Sequence, residues 1–350
     1  MRKVKILGAG SIGNHLANAS RRLGWDVVLC DRDPAALERT RNEIYPARYG
    51  AFDEAIALHE AGDAPRGGFD LVFVGTPPES HVPLALQALD EGPRAILVEK
   101  PLCAPDMEGA DKLRELAARS GIEVFVGYNH AVGRAARFAR ERLGAIGPIE
   151  TLDVEFREHW GGIFAAHPWL SGPEDSYLGH WRQGGGASGE HSHAIHLWLD
   201  LAHAAGAGGV RAVTATLDYV TRGAADYDRL CLLNLETERG LCGRVVQDVV
   251  TSPPRKWARV QAERGFLEVG IGASDVARHG DAEGTVHEER FEKTRPDDFL
   301  EELRHIDDVL EGRANNEPLS LARGLEAMQV VAAAHRSARE GRRVTIEPAD

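Results

Sequence analysis

Short apolar runs alternate with helical spacing through the first third of the chain. Residues 4–7, 27–30, 71–74, 95–98 and 123–126 are brief, aliphatic and partly β-branched. Strands buried on both faces have this character. Residues 12–23, 34–44, 82–89 and 106–118 lie between them with the three-to-four periodicity of helices. Strand and helix repeated in this order predict a parallel sheet with helices on both faces.

The pattern changes after about residue 150. Leu152, Val154 and Phe156 alternate with Asp153, Glu155 and Arg157, as in a strand with one wet face. Further strands are expected at 210–220, 229–235, 241–251, 257–262 and 266–269, with turns at 236–240 and 263–265. Helical stretches at about 297–311 and 319–339 and a short strand at 343–346 close the chain. The fold class is therefore an α/β Rossmann domain, a doubly wound parallel sheet, followed by a C-terminal α+β domain with a large open, mostly antiparallel sheet. Residues 1–127 are assigned to the first domain, and 128–350 to a second for substrate binding and oligomerisation. An open sheet face predicts a homodimer or homotetramer built through it.

Composition narrows the partners. The 350 residues are 43% hydrophobic and 27% charged, as in ordinary globular proteins. No apolar run reaches the roughly 18 residues of a membrane helix. The chain enters its first strand at once, so no signal peptide is expected and a cytoplasmic location is. A net charge of −13 disfavours nucleic acid. Cys30, Cys103, Cys231 and Cys242 show no metal-binding spacing and read as free thiols.

Gly8-Ala9-Gly10-Ser11-Ile12-Gly13 follows the first strand and opens a helix. In that context a GxGxxG loop lets a pyrophosphate approach the backbone and meet free N–H groups. Asp31 ends the second strand, where a carboxylate accepts the ribose hydroxyls of NAD and repels the 2′-phosphate of NADP. Arg32 beside it leaves NADP open. The bland alternative is a glycine turn with a helix-capping aspartate. Gly75-Thr76-Pro77-Pro78-Glu79-Ser80-His81 and Glu99-Lys100-Pro101 follow the strands at 71–74 and 95–98, where open α/β sheets bind ligands. The Lys100 ammonium is suited to polarising a substrate oxygen. The alternative is a turn lysine paired with Glu99.

With Gly127-Tyr128-Asn129-His130, a later Gly184-Gly185-Gly186 and the terminal Ser337-Ala338-Arg339-Glu340-Gly341, these segments resemble the Gfo/Idh/MocA oxidoreductases, sugar and cyclitol dehydrogenases and their relatives. The resemblance covers nearly the whole chain. It implies a catalytic Lys100, often followed by a cis peptide to Pro101. It also implies that Thr76, Pro77, His81, Glu99 and Asn129 line the cofactor and that His130 begins the substrate domain. The family usually places an aspartate and then a histidine after the glycines. Here Glu190 takes the aspartate position and His193 follows three residues on, a spacing that shares one face of a helix. His193 is expected to take the hydroxyl proton with Glu190 orienting it, although Lys100 could be the base and relay through His193.

Trp160, Trp169, Tyr177, His180, Trp181 and Arg182 precede the glycines. Trp160, Trp181 and Arg182 join His130, Glu190 and His193 as candidate substrate residues, because aromatic faces stack on sugars. A core aromatic set is the alternative. His180, Glu190, His191, His193 and His196 also raise the idea of a metal. No metal is assigned, since histidine serves hydroxyl binding equally well. The expected function is hydride transfer between NAD, or NADP, and a secondary alcohol or ketone of a sugar, sugar derivative or cyclitol. Alternatives are an NAD-dependent glycosidase using transient oxidation and a non-catalytic NAD-binding sensor, the latter disfavoured by Lys100 and His193.

Overall fold

The computed structural model describes residues 1–165 and 169–347. The chain divides into two compact units. The first comprises residues 1–103, 108–129 and 295–321, and the second 104–107, 130–294 and 322–350.

The first unit is built on six parallel strands: β1 (Lys3–Leu7), β2 (Asp26–Asp31), β3 (Ile56–Glu60), β4 (Leu71–Val74), β5 (Ala95–Val98) and β6 (Glu123–Val126). Their spatial order is β3-β2-β1-β4-β5-β6. The order reverses between β1 and β4, the switch point where such sheets bind ligands. Every residue of β4 and β5 is buried, in keeping with their unbroken apolar runs. The edge strand β3 is absent from the sequence expectation. Only Ile56 of its five residues is buried, so it lacks the apolar run that marks the others.

The helix Arg295–Leu310 corrects the domain assignment made from sequence, which placed all of 128–350 in one unit. Its Phe299 is buried and stacks on His15 of the first helix, Ser11–Arg22, with ring centroids 4.6 Å apart at 7°. Arg2 donates to Asp307 at 2.5 Å and to Glu311 at 2.7 Å. Ser320 forms a lone antiparallel bridge with Phe125 of β6, and Asn316 donates to Glu123 at 2.9 Å. These contacts lie far apart in sequence, so local patterning carries no trace of them. Phe299→Ala is expected to cost the first unit about 3–5 kcal/mol, the usual range for emptying a buried aromatic site. Urea unfolding measures this. A loss below about 1 kcal/mol would show that the helix is peripheral to that core.

The second unit carries β7 (Ile149–Arg157), β8 (Val210–Arg222), β9 (Ala225–Thr237), β10 (Cys242–Asp248), β11 (Arg255–Ala262), β12 (Gly265–Gly270), β13 (Ser274–Asp281), β14 (Val286–Glu292) and β15 (Val344–Thr345). Among the described residues they form one sheet, in the order β14-β13-β12-β11-β7-β10-β9-β8-β15. The β7–β10 pair is parallel and the rest are antiparallel. The helix Ser192–Ala204 packs on this sheet through Trp198, which is wholly buried and donates its indole N–H to the Leu152 carbonyl at 2.8 Å. Gly243 of β10 makes room for it, since a Cβ there would stand 3.0 Å from the indole nitrogen and 1.9 Å from the Leu152 oxygen.

Candidate active site

In the first unit the loops at the carboxyl ends of the central strands are joined in a row. Hydrogen bonds continue the sheet past the strands, from Gly75 N–H to Leu7 O (2.8 Å), Glu99 N–H to Val74 O (2.9 Å) and Gly127 N–H to Val98 O (2.8 Å). Gly8 has φ +104°, and a Cβ on it would lie 2.7 Å from the Gly75 oxygen. A Cβ on Gly13 would overlap the Gly8 carbonyl at 1.8 Å. Gly10, by contrast, is exposed with nothing within 4 Å of a Cβ position. The helix Ser11–Arg22 starts there with no side-chain cap and no acidic residue in its first turn. Ser11 and Ile12 are half-buried at its start. Its leading N–H groups suit an anion.

Asp31 closes the cradle. One carboxylate oxygen accepts the Ala9 N–H at 2.7 Å, and the other accepts the Asp33 N–H at 2.9 Å. A carboxylate has about four acceptor positions, so both oxygens keep capacity for ribose hydroxyls. Arg32 is exposed. Arg48, which sequence reasoning missed, donates to the Ser11 hydroxyl at 2.9 Å and to its carbonyl at 3.1 Å, adding positive charge at the helix start. Asn129 is buried with its Oδ1 unpaired, leaving an acceptor open at the last residues of this unit. The open glycine, the uncapped helix, the carboxylate and this orphaned amide oxygen together fit a dinucleotide.

Lys100 is half-buried, one residue past the row, and its peptide to Pro101 is cis, as the family resemblance implies. Thr76 and Pro77 start the neighbouring loop. His81 is only 1% exposed, with Nδ1 2.9 Å from the Pro101 oxygen and Nε2 2.6 Å from the Thr76 oxygen. Expected to line the cofactor, it sits between the two loops, where a neutral ring with its single N–H donates to one of the two carbonyls. Burial lowers it to about 4 despite those carbonyls, so the ring is neutral at ordinary pH. Glu99 is a buried support of the same row. Its carboxyl accepts the Lys100 N–H at 3.3 Å and lies against Gly127, where a Cβ would come within 2.9 Å. Burial pushes it up to about 7, against the pull of the Lys100 charge. Glu302, wholly buried on the helix Arg295–Leu310, is driven up by burial and by the charge of Glu99.

The second unit assembles a different set. The rings of His130 and His193 lie 4.4 Å apart, and Phe156 of β7 lies 5.7 Å from the first and 6.4 Å from the second. The expected single helix face for Glu190 and His193 is not found. Glu190 ends the helix Gly186–Glu190, His191 takes φ −95° and ψ 23°, and a new helix starts at Ser192. The three-residue spacing therefore spans a break. Gln247 of β10 fixes it, donating to the His191 carbonyl at 2.6 Å.

Trp160 is buried, T-shaped against Tyr227 at 5.6 Å, and its indole N–H has no partner among the described residues. Trp181 is not free to stack on a sugar. His335 covers it at 4.3 Å and 18°, and the guanidinium of Arg182 lies 4.3 Å from the ring. Arg182 is exposed and paired with Asp226. Among the described residues no group of three or more His, Cys, Asp or Glu side chains is arranged to hold a metal ion. None of their helices is long and apolar enough to cross a membrane.

Residues 2–128 match the model of the GFO_IDH_MocA oxidoreductase family, NAD-binding Rossmann fold. No curated protein matches the chain. Solved structures similar to it include GenD2 from gentamicin A biosynthesis in complex with NAD, 22% identical, with a TM-score of 0.75 over 99% of this chain and 97% of that one. The WlbA dehydrogenase from Bordetella pertussis, in complex with NADH and UDP-GlcNAcA, is 22% identical, with a TM-score of 0.74 and 99% of each chain covered. Levoglucosan dehydrogenase, in complex with NADH and L-sorbose, is 17% identical, with a TM-score of 0.77 and 99% of each chain covered. At these identities the likeness is one of fold.

Proposed function

We propose that this chain, whose residues 2–128 belong to the Gfo/Idh/MocA oxidoreductase family and carry its NAD-binding Rossmann fold, oxidises or reduces a secondary alcohol or ketone of a sugar, sugar derivative or cyclitol. The observation that carries this reading is the joined row of loops in the first unit. It ties the Lys100 loop to the glycine cradle through Gly75 and His81. Bound NAD supplies the hydride acceptor or donor. The chain supplies the rest.

In the oxidising direction Lys100 holds the oxygen of the reacting carbon and stabilises the charge that gathers on it. His193 takes the hydroxyl proton at a ring nitrogen, and Glu190, half-buried three residues before it, orients the histidine. His130 fixes the plane of the His193 ring by packing against it. Trp160 offers its buried indole N–H to a substrate hydroxyl, and the exposed Arg182 extends the polar contacts. The sugar or cyclitol class draws support from the sugar ligands bound to WlbA and levoglucosan dehydrogenase. The outer face of the second sheet holds a polar depression of about 450 Å³ lined by Thr151, Asp153, Asn234, Glu236, Arg244 and Arg343. It belongs to the open face expected to form the homodimer or homotetramer, which sedimentation measures.

NAD is the working cofactor in this reading because Asp31 faces the adenosine ribose. Asp31→Ala is expected to weaken NAD binding about tenfold or more, as for loss of a hydrogen bond to a charged group, and NADP binding by less. Calorimetric titration of both cofactors measures this, and equal losses would contradict the assignment. The reading as a whole is tested by following NADH absorbance against panels of sugars, nucleotide sugars and cyclitols. Turnover with an alcohol supports it, whereas NAD binding without turnover of any alcohol or ketone overturns it.

A further inference from the structure

A continuous line of hydrogen bonds runs beneath the glycine turn of the second unit. Asp228 of β9 is wholly buried and accepts the Ser188 N–H at 2.7 Å through Oδ2 and the Ser188 hydroxyl at 3.1 Å through Oδ1. The Ser188 Oγ lies 3.1 Å from Nε2 of His335, and Nδ1 of the same ring lies 2.7 Å from the Tyr219 hydroxyl. Ser188 and His335 are buried, while Tyr219 is half-exposed.

Each hydroxyl carries one proton, and a neutral imidazole carries one N–H. All the contacts are then satisfied in only two ways. With Asp228 ionised, Tyr219 O–H donates to Nδ1, Nε2–H donates to Ser188 Oγ, and Ser188 O–H donates to the carboxylate. With Asp228 protonated, every arrow reverses: Asp228 O–H donates to Ser188, Ser188 to Nε2, and Nδ1–H to Tyr219. Moving between the two patterns takes up one proton at the Tyr219 oxygen, while each donor passes its own proton one step inward. No bond between heavy atoms changes.

We infer that Tyr219, His335, Ser188 and Asp228 form a reversible proton wire. Through it the enclosed Asp228 carboxyl exchanges its proton with solvent, and Asp228 is a positioning residue for the helix that ends in Glu190. The charged surroundings allow it. Burial with Arg339 and Arg182 nearby lowers His335 to about 3, so the ring is neutral while Asp228, pushed up to about 7 by burial, titrates. Arg182 is itself paired with Asp226, and both arginines lie over the Trp181 ring that stacks on His335. Cys231 on the same strand is held as a thiol by burial and by Asp228.

The wire grips the turn itself. Gly186 takes φ +74°, and a Cβ on it would stand 2.0 Å from the Asp228 Oδ1. The ionised carboxylate holds Ser188 by two charge-assisted bonds. The protonated form keeps the amide contact but donates to the hydroxyl instead, so the short helix is held less firmly at lower pH. The consequence for catalysis rests on the function proposed above, through Glu190. The wire does not.

Nitrogen NMR of the full chain with labelled histidine, from about pH 5 to about pH 9, reads the His335 tautomer directly. The expected result is Nε2–H at high pH and Nδ1–H at low pH. Asp228→Asn places an amide N–H against Ser188 and is expected to lock Nδ1–H throughout. Tyr219→Phe removes the acceptor for Nδ1–H and is expected to lock Nε2–H, so either variant carries the test if the other fails to fold. A wild-type ring that keeps one tautomer across the range, or becomes an imidazolium, overturns the wire. For the positioning role, kcat in the wild type is expected to depend on pH through Asp228 as well as through His193, at unchanged KM, with Asp228→Asn leaving the His193 limb alone and so changing the profile. A pH profile of kcat that is the same in the variant as in the wild type overturns that role. Failure of the wild type to turn over any alcohol or ketone counts against the proposed function and leaves the NMR result standing.

Discussion

Replacing Lys100 with methionine is expected to lower kcat/KM about a thousandfold or more, roughly 4 kcal/mol of lost transition-state stabilisation, while NAD binding stays within about threefold. Methionine keeps the length and apolar stem of lysine and removes only the ammonium. The glycine cradle, Asp31 and the uncapped helix do not depend on that charge, so cofactor affinity should survive. The loop itself should survive too, because His81 holds it through the Pro101 carbonyl and the Lys100 backbone N–H holds the Glu99 carboxyl. Stopped-flow measurement of NADH formation, paired with a titration of NAD, separates these effects. Turnover within tenfold of the wild type would remove Lys100 from the chemistry.

His193→Ala is expected to lower kcat about a hundredfold or more, the ordinary contribution of a positioned general base. It is also expected to flatten the acidic limb of the pH–rate profile for alcohol oxidation. A protonated imidazole cannot accept the hydroxyl proton, so the wild-type rate falls as pH is lowered. Without the imidazole only the smaller dependence transmitted from Asp228 remains. His130 and Phe156 pack against the His193 ring, so the alanine leaves a gap beside them. His193→Asn fills more of that space and serves as the structural control. An unchanged pH profile in both variants would move the base elsewhere, with Lys100 the next candidate.

The parts of the fold visible in sequence are those whose burial matches their hydrophobicity. The strands β4 and β5 are buried at every position and apolar at every position, and they read clearly. In β13 the inward positions include Asp275, Ala277 and Gly280, which form no apolar stripe. In β14 six of seven residues are exposed and only Phe291 is buried. Neither strand carries a pattern, and both escape expectation. The helix Arg295–Leu310 is legible as a helix, but its partners His15 and Arg2 lie about three hundred residues away.

The candidate site divides in the same way. Motifs that are local, such as the glycine cradle with Asp31, carry their geometry in the sequence because a turn and a helix start are short-range features. The residues that reposition the site are long-range. Nothing around His335, in a helix rich in alanine, marks it as the partner of Ser188 and Tyr219. Gln247 sits in an ordinary strand, yet it secures the helix break at His191, between Glu190 and His193. Trp181 stands next to Arg182 and looks free to stack, but His335 arrives from the far end of the chain to cover it.

The central claim is direct hydride transfer from a carbinol carbon, and isotope tracing tests it most directly. A sugar or cyclitol substrate found in the absorbance screen is labelled with deuterium at that carbon and incubated with excess NAD, with the wild type and with Lys100→Met. One deuterium per oxidised substrate is expected in the NADH released by the wild type, and almost none with the variant over the same time. Cleavage of a glycoside with no accumulation of labelled NADH, or release of unlabelled NADH, would contradict the account.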